Sequence, residues 1–233
     1  MPVDPTTIAL ITDINTALSR VLSSAYTTPA KAPDVYEAYI FSLVVQAAES
    51  VSKLPAQYKF GTGSMATDLV FRTSPGQIYK NLNTYTHAEL PFAKAPTLEA
   101  HVGIYVTGRS GVAHECDVAV ISKGEADTCR AGNGLGKHHS PRVRNLALGV
   151  ECKYYSTGIR LHNIRSFLGL RVDLTTKRLH FVSNTTRSDP EKVLASRAAG
   201  QWSPNVSPSS PDATTNLLEY FKRVFRDYQA SQS

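Results

Sequence analysis

Two apolar segments that carry acidic residues constrain the fold of this chain more than any other feature. The first, HECDVAVIS, covers residues 114–122, and the second, LALGVECKYYS, covers residues 146–156. Short apolar runs of this kind, bounded by polar turn residues, predict buried β-strands. A charge inside a buried strand is costly unless it has a partner, so the two strands are expected to bring their charged residues together.

The alternation of side chains along a strand predicts which residues meet. Glu115 and Asp117 are two positions apart and therefore share one face of the first strand. Glu151 and Lys153 share a face of the second strand in the same way, while Cys152 points to the opposite side. If the two strands are neighbours, Asp117, Glu151 and Lys153 converge at one end of the sheet. The alternative is a surface ion pair between Glu151 and Lys153, with Asp117 unrelated to it.

The remaining pattern predicts an α/β fold with a central mixed β-sheet flanked by helices. Residues 98–108 and 112–122 form a predicted hairpin, and residues 146–184 a predicted strand–helix–strand crossover. Helices are expected at 6–24, 35–54, 189–200 and 213–229, with Asp34 and Asp189 as N-caps and Gly200 following the third helix.

The domain organisation predicted from this pattern is a single domain over residues 1–233. It has an N-terminal helical region at 1–54 and a Gly-rich, basic loop insertion at 123–145. Residues 55–97 are hard to assign, apart from a candidate strand at 68–73. In the insertion, His138, His139 and Cys129 do not have the spacing of a structural zinc site, so a solvated loop is favoured.

Composition indicates a cytoplasmic protein with a polyanionic partner and no membrane association. The longest apolar run, at 39–48, is too short to span a bilayer, and the odd count of three cysteines does not suggest a disulfide framework. Residues 122–200 carry 14 Lys and Arg against 6 Asp and Glu. This basic segment favours nucleic acid as a partner, and a generally basic surface is the alternative.

Two carboxylates beside an ammonium group predict a divalent-cation site. Mg²⁺ is a hard ion that proteins hold through one or two carboxylates together with water and phosphate oxygens. Asp117 and Glu151 are therefore the predicted metal ligands, and Lys153 is expected to orient or activate the attacking water. Glu37 lies in the apolar stripe of the predicted helix 35–54 and also needs a partner; a structural salt bridge and a metal ligand are both open for it.

This arrangement resembles the PD-(D/E)xK nuclease superfamily, which has the restriction-endonuclease-like fold. Asp117 matches the first acid of the motif, and Glu151-Cys152-Lys153 matches its (D/E)xK element, although residue 116 is Cys where the motif has Pro. The resemblance covers residues 34–54 and 98–200. It implies a Mg²⁺-dependent endonuclease that acts on DNA, with Mn²⁺ as a substitute ion and Glu37 as a further acid.

Arg160, His162 and Arg165 follow the second acidic strand on a predicted helix and are expected to contact the phosphate backbone. Two other functions stay open. One is a nucleic-acid-binding or assembly module that keeps the fold without cutting. The other is a regulated effector, for instance in antiphage defence, whose site opens after ligand binding or oligomerisation. A homo-oligomer would suit double-strand cutting.

Overall fold

The computed structural model describes residues 5–134, 139–174, 179–197 and 201–232. At its centre is a seven-stranded sheet whose strands follow one another in chain order. The strands are β1 (Gln57–Phe60), β2 (Thr86–Phe92), β3 (Ala95–Thr107), β4 (Ala113–Ser122), β5 (Leu146–Lys153), β6 (Leu179–Ser183) and β7 (Trp202–Ser203). Neighbours from β1 to β5 are antiparallel, and the pairs β5–β6 and β6–β7 are parallel. The sheet is therefore mixed, as predicted.

Within the described ranges, seven α-helices surround the sheet. They are α1 (Pro5–Leu18), α2 (Ser24–Thr27), α3 (Ala32–Ser52), α4 (Lys123–Gly134), α5 (Leu161–Asp173), α6 (Ser188–Arg197) and α7 (Pro211–Ser231), and a 3₁₀ turn covers Val143–Asn145. The α/β fold with a central sheet flanked by helices is thus confirmed. Among the described residues, no helix is long and apolar enough to cross a bilayer.

Two hydrophobic cores hold the helices against the sheet. The first contains α1, α3 and α7, and its aromatic members Phe41, Phe221 and Phe225 are fully buried. Helix α3 is apolar on nearly every side because it is covered by two other helices as well as by strands. The second core contains residues of α4, α5 and α6, among them Phe167 and Leu194. The acidic strands β4 and β5 contribute to both cores.

The helix boundaries differ in detail from the sequence prediction. Helix α3 begins at Ala32, so Asp34 is not its N-cap; instead its carboxylate accepts a hydrogen bond from the backbone N–H of Lys31 at 2.7 Å. Helix α1 ends at Leu18 rather than at residue 24, because Ser19 adopts a left-handed conformation with φ of 48°. Helix α6 begins at Ser188, which places Asp189 in its first turn, and Gly200 lies outside the described residues.

The prediction of a loop insertion at 123–145 is wrong for its first half, which is the helix α4. Ala126 and Cys129 are fully buried in the second core and anchor this helix to the sheet. On its outer side Lys123 and Asp127 form an i,i+4 ion pair at 3.0 Å. The glycines and the low apolar content of the segment hid this short helical pattern.

The region 55–97 contributes two strands that the sequence did not reveal, β1 and β2. The candidate strand at 68–73 is not a strand; Leu69 forms only an isolated bridge with Leu22. Strand β2 is buried at most positions although it contains His87, Glu89 and Pro91. Ala88, Leu90 and Phe92 alternate with these residues and pack in the first core, but the apolar pattern is short and contains a proline, so it was not recognised as a strand.

Candidate active site

Strands β4 and β5 place the predicted acids side by side. Val118 pairs with Val150 in the antiparallel ladder, and Asp117 and Glu151 are the next residues outward on the two strands. At this point the carboxylate of Asp117 accepts a hydrogen bond from the backbone N–H of Cys152 at 2.7 Å. The Asp117 side chain therefore accepts a hydrogen bond that a backbone carbonyl of β4 would accept in a regular ladder, and Asp117 is buried between the strands.

Lys153 joins the two carboxylates. Its Nζ lies 2.6 Å from Glu151 Oε1 and 3.5 Å from Asp117 Oδ2. The structure therefore brings the three predicted side chains together at the end of the β4–β5 pair. The alternative of a surface ion pair unrelated to Asp117 does not describe this geometry, because one ammonium group contacts both acids. The catalytic roles of the three residues stay predictions.

The alternation of β4 is interrupted at the site. Cys116 packs in the second core with Ala119, whereas Val118 packs in the first core. The prediction that every second residue keeps to one face therefore does not hold between residues 116 and 118. On the neighbouring strand, Gly103 lies between the partners of Cys116 and Val118 and has φ of 62°. A left-handed residue in a strand twists it locally, and here the change of face accompanies the sideways position of the Asp117 carboxylate.

Helix α3 brings a further acid, Glu37, toward the site. Burial and then the negative charges of Asp117, Asp34 and Glu115 raise the pKa of Glu37, and Lys153 lowers it; the net pKa is about 10. Among the described residues Glu37 forms no ion pair, so the structural salt bridge that was considered for it is not present. Glu37 is instead a carboxylic acid that is held protonated near other acids.

All the acids around the site share an upward pKa shift. Burial, followed by Asp117, raises the pKa of Glu151 to about 7, although Lys153 opposes this. Burial also raises the pKa of Asp117, and burial and then Asp117 raise that of Glu115. For Lys153, desolvation lowers the pKa, but the attraction of Asp117 and Glu151 is larger and the net direction is upward. A single ammonium group does not balance this number of carboxyl groups.

The predicted ligand set Asp117, Glu151 and Glu37 is not assembled as a three-ligand site. Among the described residues, two groups of three have ligand atoms that all lie within 4.8 Å of one another, and they are elsewhere. One is His87, Glu99 and His101, and the other is Glu125, Cys129 and His139. The chain therefore contains buried acidic and histidine groups that could hold a metal. At the acidic site, the closest arrangement is the pair Asp117 and Glu151, joined through Lys153.

Sequence reasoning missed both three-residue groups. His87 lies on a strand that was not predicted, although the spacing of Glu99 and His101 on a predicted strand was a usable signal for a shared face. Cys129 and His139 were set aside because their spacing differs from that of a zinc site, yet the fold places them together with Glu125. His138 lies outside the described residues.

The predicted phosphate-contacting residues lie on α5, which begins near the end of β5. Arg160, His162 and Arg165 are exposed on this helix and its N-cap. The start of the helix is tied to the strand edge, because Asn163 Nδ2 donates to the hydroxyl of Tyr155 at 3.0 Å. These three residues thus follow the acidic strand by a short connection and are accessible to a ligand.

Comparison with known proteins does not add to this geometry. No protein family, no curated protein and no solved structure matches this chain. The resemblance to the PD-(D/E)xK superfamily consequently depends on Asp117, Glu151 and Lys153 and on the elements that carry them.

Proposed function

We propose that this chain is a Mg²⁺-dependent nuclease that hydrolyses phosphodiester bonds in DNA as an endonuclease. The observation that carries the proposal is the contact of Lys153 Nζ with both Glu151 Oε1, at 2.6 Å, and Asp117 Oδ2, at 3.5 Å. Two acids from neighbouring strands and one ammonium group at the same point are the minimal set for metal-assisted phosphodiester hydrolysis.

The donor atoms at this site fit Mg²⁺. They are carboxylate oxygens of Asp117 and Glu151, with Glu37 as a third acid on α3, and no sulfur or imidazole ligand is involved in the proposal. Burial is the main cause of the raised pKa values of these acids, followed for Glu37 and Glu151 by the charge of Asp117, and a divalent cation would favour their ionised forms. When bound there, Mg²⁺ would supply a water molecule of lowered pKa and charge neutralisation at the phosphate.

Lys153 acts through its positive charge in this proposal. Because Asp117 and Glu151 raise its pKa, it is protonated at neutral pH before an ion binds. An ammonium group has three donors, so it can hold Glu151 and still donate to a water or to a phosphate oxygen. Its role is to orient the nucleophile and to stabilise the negative charge that develops in the transition state.

The backbone of DNA would be held by the basic segment 122–200 and in particular by Arg160, His162 and Arg165. These residues are exposed at the start of α5, close along the chain to the acidic strand β5. Without a cation, the carboxylates of the site would repel a phosphate. The acidic cluster therefore favours catalysis over a module that only binds nucleic acid, for which such acids would weaken binding.

The test is plasmid cleavage by the full chain with Mg²⁺, with Mn²⁺ and with EDTA. We expect cleavage with either ion and none with EDTA, and a loss of at least about 100-fold in Asp117→Asn, Glu151→Gln and Lys153→Met. Lys94→Met is the matched control, because this lysine is exposed in the turn between β2 and β3 and lies outside the basic segment. Cleavage in EDTA or full activity of Glu151→Gln contradicts the proposal.

Binding measurements separate the rival functions. Salt-dependent DNA binding by a chain that neither binds Mg²⁺ nor cuts would support the non-catalytic module. If the wild type binds Mg²⁺ and this binding is lost in Asp117→Asn, but no cleavage occurs, the regulated effector is supported instead. Gel filtration with and without DNA would show whether the chain forms a homo-oligomer.

A further inference from the structure

A second cluster of titratable residues lies beneath α4, on different strands from the acidic site. We call His87, Glu99 and His101 the histidine cluster. Glu99 Oε2 lies 3.1 Å from His101 Nε2 and 3.6 Å from His87 Nε2, and the ligand atoms of the three residues all lie within 4.8 Å of one another. All three residues are at most 2% exposed.

The sheet holds these three side chains in a defined arrangement. Ala88 pairs with Ala100 in the β2–β3 ladder, so the adjacent residues His87 and His101 lie opposite each other. Their rings are stacked with centroids 5.0 Å apart and an interplanar angle of 18°. Glu99 is two residues from His101 and shares its face of β3. Two imidazoles and a carboxylate are therefore directed to one point by the backbone of two paired strands.

Three of the four imidazole nitrogens in the histidine cluster lack hydrogen-bond partners, and the fourth, His101 Nε2, lies 3.1 Å from Glu99 Oε2. Both ring nitrogens of His87 and Nδ1 of His101 are buried and make no hydrogen bond within the described part of the chain. Buried polar atoms are normally paired, and an unpaired one calls for a missing ligand or ion. A neutral imidazole has one N–H and one lone pair, so each ring can offer a nitrogen to a metal ion.

We propose that the histidine cluster binds one Zn²⁺ ion through His87 Nε2, His101 Nε2 and Glu99 Oε2. Neutral imidazole nitrogen is a preferred ligand of zinc and a poor ligand of Mg²⁺, so this site differs in kind from the carboxylate site. Two histidines and one glutamate leave a fourth tetrahedral position for water. The ion would connect β2 to β3 and supply the missing partner of His87.

In the metal-free chain, two cationic side chains form ion pairs with the carboxylate of Glu99. Arg130 donates from Nη1 to Oε1 at 3.1 Å and from Nη2 to Oε2 at 2.5 Å, and Lys123 Nζ lies 3.6 Å from Oε1. Their side chains are 13% and 34% exposed, which makes this side of the cluster the entry path. An entering ion displaces Nη2 from Oε2, while Nη1 can stay on Oε1 and keep the carboxylate oriented. Removal of the competing guanidinium in Arg130→Gln is therefore expected to tighten zinc binding.

The test uses the metal-free full chain, titrated at neutral pH with Zn²⁺ by calorimetry and with Co²⁺ by absorption spectroscopy. We expect one ion per chain, a higher thermal unfolding temperature with Zn²⁺, and visible d–d bands of tetrahedral Co²⁺. A thiolate-to-cobalt charge-transfer band would be absent, because no cysteine belongs to the cluster. These readouts need no variant, so they decide the question even if a histidine variant fails to fold.

Variants then locate the ion. His87→Gln and His101→Gln should each lower the affinity at least about 100-fold. Three matched controls should keep the wild-type affinity for Zn²⁺. His180→Gln changes a histidine on β6 that is 2% exposed, and Cys129→Ser removes the thiol of the other three-residue group. Asp117→Asn changes the acidic site. No ion in the wild type, a thiolate band, or unchanged binding in both cluster variants overturns the proposal. The outcome is independent of whether the chain cleaves DNA.

Discussion

Replacement of Glu151 by Gln should stabilise the fold above neutral pH, although the same change is expected to abolish cleavage. Burial and the negative charge of Asp117 raise the pKa of Glu151 from 4.5 to about 7, even though Lys153 Nζ lies 2.6 Å away. A shift of this size corresponds to about 3 kcal/mol, at about 1.4 kcal/mol for each pKa unit. The side chain is 18% exposed, so solvent screening reduces this value only modestly.

The sign follows from proton binding. Below the ordinary pKa of 4.5, residue 151 carries its proton in both the folded and the unfolded chain, and it contributes no pH dependence. Between 4.5 and about 7 the folded chain keeps the proton that the unfolded chain has released, so the free energy of unfolding falls as the pH rises. The Gln variant escapes this loss. We expect it to be more stable than the wild type by about 3 kcal/mol at about pH 8 and by less than about 1 kcal/mol at about pH 5.

Urea denaturation in EDTA, followed by circular dichroism, measures this difference at the two pH values. Glu191→Gln is the control, because Glu191 is exposed on α6 and its replacement should change stability by at most about 0.5 kcal/mol. Added Mg²⁺ should raise the stability of the wild type at about pH 8 and have little effect on Glu151→Gln. The reasoning is refuted if the variant is less stable than the wild type at about pH 8, or if its advantage is the same at both pH values.

Three further predictions concern other parts of the molecule. Binding of Mg²⁺ at neutral pH should release protons, because the carboxyl of Glu37 has a pKa of about 10. Calorimetry in buffers of different ionisation enthalpy should show that Glu37→Gln releases fewer protons than the wild type. Equal proton release by the two proteins would contradict this prediction. Arg130→Met should lower the free energy of unfolding by about 3–5 kcal/mol in metal-free protein, since it removes the guanidinium group that donates to both carboxylate oxygens of the fully buried Glu99. A urea midpoint like that of the wild type would count against this prediction. Phe225→Ala should lower the free energy of unfolding by about 3–5 kcal/mol, because it opens a cavity between α7 and the sheet. The exposed neighbour Asp227 is the control, and Asp227→Ala should change this free energy little. A loss below about 1 kcal/mol for Phe225→Ala would show that α7 is not part of the core.

The strands with strong apolar patterns could be predicted because their signal is local. The hairpin of β3 and β4, the strand β5 and the helix α5 were all located from runs of apolar residues and the turns between them. The helix α4 was missed because its stability depends on distant residues. Arg130 on this helix bonds to Glu99 on β3, and no pattern within 123–134 indicates that contact.

The sequence predicted that Asp117, Glu151 and Lys153 lie together, but it predicted only part of their geometry. The alternation along β5 placed Glu151 and Lys153 on one face, and their contact at 2.6 Å agrees with this. The change of face between Cys116 and Val118 was not predictable from β4 alone, since it occurs opposite Gly103 on the neighbouring strand. The histidine cluster was missed because β2, whose short apolar alternation is interrupted by Pro91, was not recognised, and its pairing with β3 is a contact between separate segments.

The amino-acid sequence by itself determined that Asp117, Glu151 and Lys153 lie on two apolar strands, because the apolar runs around these residues are a local signal. The tertiary structure decided what those charges do to one another. The hydrogen bond from Cys152 N–H to Asp117, the approach of Glu37 from α3 and the pKa of about 7 for Glu151 all arise from distances between elements that are far apart in the chain. Burial and Coulomb interactions depend on those distances, and they exist only once the helices and strands have packed.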